Sequence, residues 1–120
     1  MRSYVIDELA GSTVRHLQDR LTDMGGASSV EKLFWLPVDQ ELLTPIQCEH
    51  LPECGPYKMA VELKDESVRL ELLVRAEGKL RCECICYLHP EAERKMMNKL
   101  DTLITAIQQD ELSVLFGVCC

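Results

Sequence analysis

Between Tyr57 and Leu88 apolar side chains recur at every second position in three successive runs, and no other feature limits the fold of this chain so tightly. Met59, Val61 and Leu63 fall on one face of an extended segment, as do Val68, Leu70, Leu72 and Val74, and then Leu80, Cys82, Cys84, Cys86 and Leu88. A period of two belongs to a strand with one buried face. The spacing therefore predicts three strands, Tyr57 to Lys64, Ser67 to Arg75 and Lys79 to Leu88, in an antiparallel meander. A one-residue slip would turn a whole apolar set to solvent, so the registers are constrained. Leu63 is expected opposite Val68, which sets Glu62 against Arg69 as a favourable cross-strand pair. Val74 is expected opposite Leu80, across the turn Ala76-Glu77-Gly78. That register sets Glu71 against Glu83, with Arg69 and Arg81 as diagonal neighbours, and reads as a solvated charge lattice.

Helical periodicity flanks this region. Ile6, Leu9, Ala10, Thr13, Leu17, Leu21 and Met24 recur at steps of three and four, predicting a helix from about Val5 to Met24 that stops at Gly25-Gly26. At the other end, Pro90 suits a first helical position, with Glu91 and Glu93 in the first turn. Met96, Met97, Leu100, Leu103, Ile104 and Ile107 form a buried stripe, so a long helix runs to Gln109 or as far as Phe116. Lys32 to Val38 reads as a further strand, with Pro37 near its end. Asp39 resembles an N-cap for a short turn over Gln40 to Leu43, and Thr44 to Pro56 reads as an irregular connection. The expected fold is α+β over residues 1–120 as one domain. It has two layers: an N-terminal helix, an antiparallel sheet of about four strands and a long C-terminal helix.

Composition excludes several functions. Twenty acids against thirteen bases give a net charge of -7, a field that repels phosphate backbones and anionic bilayers. Neither nucleic acid nor membrane is an expected partner. No apolar run approaches the roughly 20 residues of a membrane span, and the N-terminus lacks a signal-peptide pattern, so a cytoplasmic location is expected. The seven cysteines, an odd number, do not form a secreted disulfide framework and are expected as free thiols or metal ligands.

Two groups of cysteines invite metal chemistry. Cys82, Cys84 and Cys86 share a predicted strand face with Leu80 and Leu88. Side chains two apart on a strand stand about 6.5–7 Å from each other. Thiolates sharing one zinc ion lie under about 4 Å apart. The stripe is therefore expected to be buried, metal-free core. Cys48, His50 and Cys54, in the predicted loop, are the candidate metal ligands, since a loop can wrap zinc-compatible donors around an ion. A fourth ligand would come from elsewhere, with Cys119 and Cys120 as candidates. The spacing matches no paired CxxC signature. The terminal Cys119-Cys120 resembles the prenylated ends of Rab-type GTPases, but over two residues only and with no GxxxxGK[ST] loop in the chain. His16 and His89 have no sequence-adjacent nucleophile, and no catalytic or other cofactor-binding residue is assigned.

Apolar residues left over after the core is filled point to partners. Leu73, Ile85 and Tyr87 interrupt the predicted solvent face of the sheet, and Leu112, Leu115 and Phe116 lie where the last helix's stripe drifts off its inner face. The expected function is a small, non-enzymatic protein-interaction or regulatory module, homodimeric and chaperone- or adaptor-like. Type III secretion chaperones share that gross character. The alternative is a zinc-binding protein that uses Cys48, His50 and Cys54.

Overall fold

The computed structural model describes the backbone of residues 2–116 and the side chains of residues 2–114. The order of elements is β1 (Ser3–Ile6), α1 (Gly11–Asp23), β2 (Leu33–Pro37), a 3-10 turn (Gln40–Leu42), α2 (Pro45–Cys54), β3 (Tyr57–Leu63), β4 (Val68–Glu71), β5 (Arg75–Ala76) and α3 (Pro90–Phe116). The fold is α+β, with an antiparallel sheet whose buried face packs against both α1 and the long C-terminal α3.

The sheet runs β1-β4-β3-β2, with β5 beside the start of β3. Its central register is the one the alternation demands: Leu63 pairs with Val68 and Glu62 with Arg69, whose side chains meet at 3.0 Å. Phe34, Leu36, Met59, Val61, Leu63, Val68 and Leu70 are buried together with Leu17 and Leu21 of α1 and Met96, Leu100, Ile104 and Ile107 of α3. The opposite face carries the Glu62–Arg69 pair, and Lys58 lies 4.1 Å over the Trp35 ring. Lys32 to Val38 finds its place as β2, paired with β3 from Leu33–Glu62 to Pro37–Lys58.

The structure differs from the sequence expectation in three places. The first helix begins at Gly11 rather than Val5, because Ser3–Ile6 joins the edge of β4 as β1. Tyr4, Val5 and Ile6 are aromatic or β-branched and prefer a strand when an edge is open to them. The Tyr4 hydroxyl then donates to Asp101 of α3 at 2.8 Å. Gly25, at φ 81, follows the end of α1 in the left-handed region that glycine tolerates.

The second difference is that Thr44 to Pro56 is not an irregular connection. Pro45–Cys54 is helical and opens on a capping box: Gln47 N–H donates to the Thr44 hydroxyl, and the Gln47 side chain accepts from the Thr44 N–H at 2.9 Å. Pro45 sits at the start of the helix, where its missing N–H costs nothing.

The third difference bears on function: Lys79 to Leu88 does not form a strand. After β5 the chain packs against the end of α2, where Glu77 N–H donates to Pro56 O at 3.0 Å and Gly78 N–H to Cys54 O at 2.8 Å. A Cβ on Gly78 would lie 2.7 Å from Glu53 O, so the approach requires glycine. Residues 79–86 then curl into a turn closed by Ile85 N–H on Cys82 O at 3.0 Å. The chain rejoins the sheet only at the Leu73–Tyr87 bridge. Leu80, expected in the core, is 95% exposed.

Candidate metal centre

The helix and the turn bring their chemistry to one point. On α2, His50 and Cys54 are four residues apart and share a face. That face looks at the 79–86 turn, which presents Cys82 and Cys84. The ligand atoms of these four residues all lie within 4.8 Å of one another. His50 Nδ1 is 3.2 Å from Cys82 Sγ, and Cys54 Sγ is 3.9 Å from Cys82 Sγ. Two sulfurs on a tetrahedral zinc ion, each about 2.3 Å from the metal, stand about 3.8 Å apart. Cys54 and Cys84 are fully buried; Cys82 and His50 are half-buried beside a shallow cleft lined by Glu49, Pro52, Glu53 and Lys79.

The electrostatics are those of crowded thiols. The Cys82 thiol is pulled down to about 6, first by the Cys84 backbone N–H and then by the Cys84 side chain, with His50 and Cys54 adding to the effect against the pull of burial. Burial pushes the Cys54 thiol up to about 11, helped by the neighbouring Cys84 and Cys82. One thiolate thus forms readily while another is held protonated. A divalent cation would remove that conflict, because coordination ionises thiols outright.

Surrounding groups hold the donors in place. Gln47 is fully buried; its Nε2 donates to Cys84 O at 3.2 Å and to Cys86 Sγ at 3.5 Å, tying the start of α2 to the turn. Glu83 Oε1 lies 4.0 Å from His50 Nε2, on the side of the ring away from the cluster. Tyr57, the first residue of β3, is buried beside Cys84. Burial first, then the Cys84, Cys54 and Cys82 thiols, pushes its phenol above the ordinary value. Its hydroxyl has no hydrogen-bond partner of good geometry among the described residues.

Of the candidate ligands read from sequence, His50 and Cys54 enter the cluster and Cys48 does not. Cys48 is exposed and sits two residues from His50, which on a helix is more than half a turn around the axis. Cys119 and Cys120 lie outside the described residues. Cys82 and Cys84 were expected as metal-free core. The strand geometry that kept their sulfurs apart is absent, and a turn does not impose it. Cys86 is half-buried, its thiol donating to Cys84 O at 3.4 Å. Among the interface candidates, Leu73, Ile85 and Tyr87 are half-buried. Tyr87 carries Arg2 4.1 Å above its ring. Leu112 is 53% exposed, and the side chains of Leu115 and Phe116 lie outside the described residues.

No family model matches the chain, and neither a curated protein nor a solved structure matches it.

Proposed function

We propose that the protein binds one zinc ion through His50, Cys54, Cys82 and Cys84, and that the ion clips α2 to the 79–86 turn of a non-enzymatic module. The observation that carries this reading is the convergence of four zinc-type donors from two separate segments within 4.8 Å. Three thiolates and one imidazole form a soft donor set that suits zinc. Four protein ligands complete a tetrahedron and leave no open position for a substrate, which is the mark of a structural rather than a catalytic centre. Thiolate ligands also need a reducing compartment, which favours a cytoplasmic location.

The test is metal analysis of the purified protein, with variants. Wild type is expected to carry one equivalent of zinc. Cys84→Ser is expected to lose it and to unfold more easily, because the binding energy of a structural site is part of its folding energy. Cys48→Ser is expected to keep both zinc and stability. Zinc-free wild-type protein with an unchanged unfolding midpoint after added zinc would remove the reading.

A second reading, self-association through the outer end of α3, is favoured by the exposure of Leu112 and of Val114, which is 84% exposed. The two readings are compatible, since the metal centre is formed by α2 and the 79–86 turn.

A further inference from the structure

We infer that Tyr57 is a positioning residue of the metal centre, its hydroxyl donating a hydrogen bond to the Cys84 thiolate when the ion is bound. The inference rests on the zinc reading above and adds a residue that no ligand pattern would select.

Tyr57 is 2% exposed, and its hydroxyl is the one buried side-chain oxygen or nitrogen among the described residues that lacks a hydrogen-bond partner. Buried hydroxyls are nearly always paired, so such an orphan calls for an explanation. Of the polar groups around it, the Cys84 thiol acts on the phenol first, then those of Cys54 and Cys82. A neutral thiol is a weak acceptor, whereas a thiolate is a strong one. The missing partner would therefore appear when a cation displaces the thiol proton.

The centre would need such a donor. Three thiolates around a dication leave a net negative charge in a buried place, and hydrogen bonds to sulfur spread that charge. The Cys82 sulfur already faces the Cys84 N–H. The Gln47 amide and the Cys86 thiol are directed to Cys84 O. Cys84 itself is fully buried, so solvent does not reach its sulfur. The phenol that approaches it is held from both sides of its backbone, where Tyr57 pairs with Ala76 and accepts from Val38 N–H at 3.0 Å.

A buried orphan and a positioning donor respond oppositely to Tyr57→Phe. In the metal-free protein the substitution removes an unpaired hydroxyl and is expected to leave the unfolding midpoint unchanged or raised. In the loaded protein it removes a hydrogen bond to sulfur and is expected to weaken zinc binding about 10- to 100-fold in competition with a chromophoric chelator. Cobalt(II) supplies a readout that a merely structural role would not move: the thiolate-to-cobalt charge-transfer band is expected at lower energy in the variant. Tyr4→Phe serves as the control. That hydroxyl is already bonded to Asp101, so its loss is expected to lower the metal-free midpoint and leave zinc affinity unchanged. Tight wild-type binding with unaltered affinity or an unshifted cobalt band in Tyr57→Phe would overturn this inference alone. A wild-type protein that takes up neither zinc nor cobalt would overturn the zinc reading and this inference with it.

Discussion

Helix phase and burial decide which side chains of this protein can act together. Four residues bring His50 and Cys54 to the same side of α2, and two residues send Cys48 away from it. Glu111 follows the same logic at the far end of α3. Its carboxylate accepts from the Thr13 hydroxyl at 2.7 Å and from the Ser12 hydroxyl at 2.8 Å, with His16 Nδ1 at 3.3 Å. The Thr13 hydroxyl first, then that of Ser12, hold its carboxyl below the usual 4.5, with His16 assisting and burial opposing. A depressed folded value means that the contribution is complete above 4.5 and disappears as the pH falls through the folded value. Glu111→Gln is therefore expected to lower stability at neutral pH by about 1.5–3 kcal/mol, the scale of a hydrogen bond to a charged group. It is also expected to flatten the loss of stability with acid below pH 4.5. Urea midpoints measured across that range check it, and equal acid slopes in the two proteins would contradict it.

At the scale of elements, the metal centre depends on the contact between the end of α2 and the chain after β5. Gly78 makes that contact, and a Cβ there would meet Glu53 O at 2.7 Å and Cys54 O at 3.0 Å. Gly78→Ala must push the 79–86 turn away from the helix that carries two of the four donors. It is expected to cost about 1–3 kcal/mol, as overpacking does, and to weaken zinc binding, both read by denaturant titration with and without metal. Unchanged zinc affinity would show that the contact does not set the donor geometry. The same contact marks where the sequence ceases to be legible. The Leu63–Val68 register and the course of α3 follow from apolar periodicity because each satisfies a buried face locally. The 79–88 segment carries the same period, yet alternation is only permissive: Gly78 docks on α2, Leu80 turns to solvent, and the thiols converge where no strand forms. The α2 helix was legible in principle, because Thr44-Pro45-x-Gln47 is a capping box with proline at the first helical position. The three prolines and the glycine between Thr44 and Pro56 masked it. His50 and Cys54 were visible as donors, whereas their partners Cys82 and Cys84 required the turn.

For the whole molecule, the open question is what meets the outer end of α3. The inward stripe of that helix passes through Met96, Leu100, Ile104 and Ile107, all nearly inaccessible, and then reaches Glu111, which is bonded to α1 rather than to the core. Leu112 and Val114 fall away from that line and stand 53% and 84% exposed. Full burial of a side chain of this size contributes about 1.5–3 kcal/mol, so a surface that pairs them gains appreciably. A twofold arrangement brings the same patch from a second copy, and closed dimers are the commonest soluble assembly. Replacing both residues by glutamate leaves the Glu111 contacts and the metal centre in place while setting like charges across any such seam. The expected outcome is a wild-type dimer in sedimentation velocity and a monomeric Leu112→Glu, Val114→Glu protein that retains its zinc. Its unfolding midpoint is expected to stop depending on protein concentration, as mass action requires once folding and association are separated. A wild-type chain that sediments as a monomer at high concentration would exclude self-association, and a double variant that remains dimeric would move the interface away from α3.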